Sequence, residues 1–337
     1  MAPLLQSDAA DKEPNIRGSS TSLEVRKFLR HALWFVLIGL VLYATLYAGS
    51  ERLIYRYAQA NRFYKVKTAP YARYDDVILG DSHAAVFNLE DMNARLEAMT
   101  NSKILNLATT GGGITINRLL LEYFMANHQT ATVVYVLDSF IFDSRQWNED
   151  RLQDTRLFDR APFDLSLARL LLHAPVSRSV QLNYIFGFSK INNANRFSPD
   201  TPEFADRFDK TYRPVKQIDK QRIDYLFPNE VDEQASQRRY MAEFEDLIQF
   251  MKSQNIRVIV IKPPIPQRVY RMMPNQEHFD TTLKEMSERR GIEFYDFSQV
   301  NNDEKFFFNT DHLNRTGVLN FFQNYLASKL VSDPPHN

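Results

Sequence analysis

Three short runs place a nucleophile, bare backbone and a base in an order that acyl chemistry can use. Gly80-Asp81-Ser82-His83 follows the apolar run Val77-Ile78-Leu79, so glycine permits a tight turn and Ser82 is presented at the end of a strand. A serine there is a nucleophile if a base reaches it; otherwise it caps the next helix. The second run, Asn106-Leu107-Ala108-Thr109-Thr110-Gly111-Gly112-Gly113, offers N–H groups that could face a developing oxyanion, cradle a phosphate or simply form a loop. The third, Asp311-His312-Leu313-Asn314, precedes the last helix; His312 could swing toward Ser82 as general base, and Asn314 reads as a helix N-cap.

The elements that must bring these runs together alternate short apolar or β-branched strands with amphipathic helices, the pattern of a mainly parallel sheet between helical layers. Five strands are expected at Val77-Leu79, Lys103-Leu107, Thr132-Leu137, Arg257-Ile261 and Glu293-Tyr295. Helices are expected near Glu51-Phe63, Leu89-Met99, Ile114-Asn127, Gln234-Gln254, His278-Arg290 and Arg315-Leu330. The result is an α/β fold, a three-layer α/β/α sandwich, whose ligand crevice lies beyond the carboxyl ends of the strands. From about 145 to 233 the pattern changes to a charged, aromatic-rich insertion with helices at Phe163-His173 and Val176-Phe186. No repeat period is present.

Ala32 to Ala48 carries no charge, and Phe28, Leu29 and His31 extend it, which gives enough length to span a bilayer. The expected organisation is a disordered cytoplasmic tail at 1–27, a transmembrane anchor at 28–48, a juxtamembrane linker at 49–70 and an α/β domain at 71–337. Arg26, Lys27 and Arg30 before the span favour a cytoplasmic N-terminus, hence a single-pass inner-membrane protein with its domain on the periplasmic or extracytoplasmic side. A cleavable signal peptide is disfavoured, since the region around Ala48-Gly49-Ser50 lacks an A-x-A pattern.

Composition narrows the chemistry further. With 41 basic and 41 acidic residues the formal charge is zero, which argues against a nucleic-acid partner. The absence of cysteine removes disulfides, thiol catalysis and thiolate metal sites. No Gly-Lys-Ser/Thr and no G-x-G-x-x-G occurs, so nucleotide binding is disfavoured. His83, His128, His173 and His278 lack metal-ligand spacing, and no metal or other cofactor is expected.

Gly80-Asp81-Ser82-His83, the Asn106–Gly112 loop and Asp311-His312-Leu313-Asn314 together resemble the SGNH/GDSL hydrolase superfamily, whose fold is flavodoxin-like, across about residues 75 to 330. The resemblance implies Ser82 as nucleophile, His312 as base, and the Ser82 and Gly111 amides as oxyanion donors. Two positions depart from that pattern. The family's Asp three residues before the histidine is Asn309 here, leaving Asp311 as the nearby carboxylate for a rebuilt triad, with a dyad as the alternative. The family's Gly-x-Asn-Asp block is Leu137-Asp138-Ser139-Phe140 here, so an asparagine donor is missing. Asp81, Asp138 and Asn309 remain as candidates to orient substrate.

Such departures are similar to those of membrane-anchored SGNH-like proteins of alginate and teichoic-acid modification. By that analogy the partners expected are an acylated glycan or lipid-linked sugar and a membrane-bound acyltransferase. The function expected is that of a serine esterase or O-acyltransferase acting on acyl, notably acetyl, esters of envelope glycans. The alternatives are an inactive member that binds glycan or an acyltransferase, and a structural anchor using the insertion as an interface.

Overall fold

The computed structural model describes residues 17–228 and 233–331. The first helix, α1 (Arg17–Tyr57), contains a window of mean hydropathy 2.0, none of it buried, and is long and apolar enough to cross a membrane. No proline interrupts it, so helical hydrogen bonding extends back from the apolar segment through 17–27, part of the stretch expected to be disordered. Residues 1–16 of that expected tail lie outside the described residues. The chain forms two units, Met1–Ser50 and Glu51–Asn337.

The juxtamembrane stretch is not one helix to Phe63. It breaks after Tyr57 and restarts as α2 (Arg62–Thr68), whose N-cap Asn61 accepts a 3.1 Å hydrogen bond from the Tyr64 amide. Phe63 and Val66 of α2 are buried in the core of the α/β unit, so part of the expected linker is structural.

The sheet comprises β1 (Arg73–Leu79), β2 (Ile104–Asn106), β3 (Gln129–Val136), β4 (Arg257–Lys262) and β5 (Glu293–Asp296). All pairings are parallel, in the order β2-β1-β3-β4-β5, with Val77 opposite Val133 and Val134 opposite Ile259. Strand alternation feeds two cores. Val77, Leu79, Val133, Tyr135, Val258 and Val260 face one, while Ile78, Val134, Val136, Ile259 and Ile261 face the other. Between β1 and β2 lie the short α3 (Ser82–Ala85) and α4 (Met92–Thr100). The first core is closed by α5 (Ile114–Met125), by α9 (Glu233–Ser253) and by α10 (Gln276–Arg290). The second is closed by α4 and by α11 (Arg315–Phe321), which continues through a π turn at Phe322–Leu326.

The insertion packs onto the first core through α6 (Leu165–His173) and α7 (Arg178–Phe186), capped by Asp164 and Ser177. Its third long helix, α8 (Lys216–Leu226), is one that hydrophobic periodicity did not reveal. Lys190, fully buried, pairs with Glu51 at 2.5 Å.

The order of strands reverses at β1, which has β2 on one side and β3 on the other. A crevice is expected beyond the carboxyl ends of the strands flanking such a reversal. The loops carrying Ser82, Gly111 and Asp138 all leave that edge.

Candidate active site

Ser82 is the first residue of α3, and the cap belongs to Asp81: its Oδ1 accepts the His83 amide at 2.8 Å, and its carbonyl accepts that of Ala85 at 3.0 Å. Ser82 is therefore released from capping duty. The turn before it needs glycine. Gly80 has φ +141°, and a Cβ there would lie 2.6 Å from the Val136 carbonyl oxygen. Asn117 on α5 supports both neighbouring loops, accepting from the Gly80 amide at 3.1 Å and donating to the carbonyls of Gly112 and Gly113.

Ser82, Gly111, Asn309, Asp311 and His312 line one cavity of about 200 Å³. Gly111 adopts φ +65° in its wall. Neither its amide nor that of Ser82 donates to a backbone or side-chain acceptor among the described residues, the state required of donors that meet an oxyanion.

His312 is held from several sides. Its amide donates to Asn309 Oδ1 at 2.8 Å, and its Nδ1 lies 3.1 Å from the same oxygen and 3.0 Å from Asp311 Oδ1. Phe204 and Phe308 pack on the ring with centroids 4.8 and 5.7 Å away. With Nδ1–H donated to Asn309 Oδ1 and the Asp311 carboxylate close beside it, Nε2 carries the lone pair, and it is buried without a partner among the described residues. Burial pushes the imidazole down to about 4 against the pull of Asp311, so the ring is neutral at physiological pH. Asn309, the departure from the family pattern, thus fills an orienting position with an amide oxygen, and Asp311 supplies the charge beside it.

Behind the cavity wall lies a chain of buried charges that spacing alone did not reveal. Asp311 Oδ2 accepts from Arg222 Nε at 2.8 Å and lies 3.5 Å from His83 Nε2, while His83 Nδ1 is 2.8 Å from Asp138 Oδ2. Burial opposes the ionised Asp311, but Arg222 and then His312 hold its carboxyl well below the usual range. Burial likewise opposes charge on His83, yet Asp138 and then Asp311 hold it well above the ordinary imidazole value. Asp81 is pushed up to about 7 by burial and by the neighbouring Asp138 charge. Asp138 and Asp81 do not line the cavity; one pairs with His83 and the other caps α3. The trios His83–Asp311–His312 and Asp81–His83–Asp138 have ligand atoms within 4.8 Å of one another. Their donors already serve one another, and Arg222 supplies the neutralising cation, so the cluster reads as an ion network.

Arg222, Tyr225 and Leu226 of α8, with Phe204 and Trp147, complete the wall. The insertion therefore builds part of the site itself.

Residues 191–324 match the family described as DltD protein, a stretch that includes α8 and the Asn309–His312 run but not Ser82. No curated protein matches the chain. Among solved structures, a candidate acylhydrolase from Bacteroides fragilis NCTC 9343 is similar at 10% identity and a TM-score of 0.37, covering 77% of this chain and 89% of that one. The all-parallel sheet makes this an α/β chain, and over residues 191–324 it is similar to the DltD family.

Proposed function

We propose that this protein is a membrane-anchored serine esterase or O-acyltransferase acting on acyl esters, acetyl foremost, of extracytoplasmic envelope glycans. One observation carries the reading: an unpartnered His312 Nε2, its Nδ1 held by Asn309 and Asp311, shares a cavity with Ser82 and Gly111. In the first step Ser82 Oγ attacks the ester carbonyl carbon while His312 Nε2 takes its proton. The Ser82 and Gly111 amides hold the tetrahedral oxyanion. The alcohol departs with the proton from His312, and the acyl-enzyme passes its acyl group to water or to a sugar hydroxyl. Hydrolase and transferase differ only in that last acceptor, and a membrane tether favours a polymer or lipid-linked glycan near the bilayer, with a membrane acyltransferase as donor partner.

Nitrophenyl acetate turnover by the protein, with Ser82→Ala and His312→Ala as folded comparisons, tests the mechanism. Loss of turnover in both variants is expected; equal turnover in either would sink it. A second reading, a non-catalytic glycan-binding member, draws on Asn309 and on the missing asparagine at Asp138. Covalent labelling of Ser82 by a fluorophosphonate probe would count against it.

A further inference from the structure

A second cavity, of about 510 Å³, adjoins the first, and Thr110 and Glu203 line both. Five basic side chains, Arg62, Lys65, Arg151, Arg156 and Arg160, line it against two acidic ones, Asp200 and Glu203. Three of the five already have carboxylate partners. Arg160 pairs with Asp200, and Arg151 and Arg156 share Asp154, both contacts 2.8–3.0 Å in length. Arg62 and Lys65 do not. They lie three residues apart on one face of α2. Among the described residues the Arg62 guanidinium donates only to the carbonyl oxygens of Ala108 and Ala60, and Glu203 lies near it without forming an ion pair. The Lys65 ammonium has no hydrogen-bond or carboxylate partner among the described residues, its amide alone donating to the Asn61 carbonyl at 3.0 Å. Desolvation and then the Arg62 charge disfavour its ammonium form, a cost that a folded protein ordinarily relieves by pairing.

We propose that this second cavity is an oxyanion subsite for a phosphate group carried by the molecule whose ester enters the Ser82 cavity, with Arg62 and Lys65 as its binding charges. Arg62, together with a Lys65 that a bound anion would hold protonated, matches the charge of a phosphate monoester better than that of a carboxylate, and Thr109 and Thr110 add hydroxyl groups to the same lining. The catalytic reading enters only in identifying which molecule carries the phosphate. The phosphate could belong to a soluble polyol phosphate or to a lipid headgroup.

Full-length protein in phosphatidylcholine nanodiscs, titrated calorimetrically with inorganic phosphate and glycerol 1-phosphate, tests the subsite without any turnover. Saturable binding is expected, at least about tenfold weaker in Lys65→Gln and restored in Lys65→Arg, which also controls for misfolding. Loss of glycerol phosphate binding in discs containing phosphatidylglycerol would identify a headgroup as the natural occupant, and retained binding would identify a soluble phosphate; both support the subsite. Absence of binding, equal affinity in Lys65→Gln, or equally tight binding of glucuronate overturns it. A protein that binds phosphate but never hydrolyses esters would sink the esterase reading alone. One that hydrolyses esters but binds no phosphate would sink the subsite alone.

Discussion

Replacing Asp311 by asparagine keeps the shape of the base-bearing loop and removes its charge. Asp311 Oδ1 lies 3.0 Å from His312 Nδ1. In the proposed mechanism His312 takes the serine proton, and a full charge pair then forms there, worth about 5.5 kcal/mol at an effective dielectric constant of about 20. An amide dipole in Asp311→Asn, together with the existing Asn309 oxygen, recovers part of this. A loss of about 3 kcal/mol is expected, on the order of 10²-fold in kcat with KM little changed. The variant also strands Arg222 and His83 beside a neutral group, and breaking a buried pair costs about 3–5 kcal/mol, toward the lower end here because Arg222 is partly exposed. Urea denaturation must therefore show the variant folded under assay conditions before nitrophenyl acetate kinetics are compared. If kcat stays within about threefold of wild type while Asn309→Ala falls on the order of 10²-fold, the argument is refuted and Asn309 alone orients the base.

Because burial brings His312 to about 4, the acid limb of kcat/KM should fall near pH 4, well below that of a solvent-exposed imidazole; a limb near 6.5 would contradict the described environment. Asp81, raised to about 7, is protonated in the folded state across a range where the unfolded chain has ionised it, so its contribution to stability is present below about pH 4 and lost as pH rises to 7. The melting temperature of Asp81→Asn relative to wild type should therefore rise between pH 5 and 8; a constant difference would refute it. Gly80→Ala should cost about 2 kcal/mol or more, read by chemical denaturation, since its Cβ meets the Val136 carbonyl at a φ that side chains avoid. A fragment beginning at Tyr71 should be less stable than one beginning at Glu51 by about 3–5 kcal/mol from Phe63 and Val66 alone, before the lost partner of buried Lys190 is counted; equal melting of the two would place α2 outside the folding unit.

The strands, the main helices and the loops bearing Ser82, Gly111 and His312 were legible because strand periodicity and turn chemistry are local. Helix α8 was not: it carries charges on most faces, and its value lies in what it touches. Arg222 reaches Asp311 across 89 residues, a relation that no spacing rule encodes. His83 was set aside for want of metal-ligand spacing, yet it bridges Asp138 and Asp311 because parallel strands bring sequence-distant loops to one edge. Whether Asn309 or Asp311 stands beside His312 had no answer in the sequence, and the loop curls so that both do. The linker was misjudged for a simpler reason. A seven-residue helix with two apolar side chains gives too short a periodic signal to distinguish from connecting chain.

His312 lies near the C-terminal end of the described chain, after the last strand, whereas Ser82 follows the first. During synthesis the proposed nucleophile therefore leaves the ribosome long before its proposed base, and the long apolar helix leaves earlier still. On the proposed mechanism, a chain that has not yet emerged as far as His312 holds a serine without its base, so the site is completed only once that segment has followed β5 into the fold. Truncated products that escape quality control would be tethered yet chemically silent, and premature stop codons even a few residues before His312 should behave as complete losses.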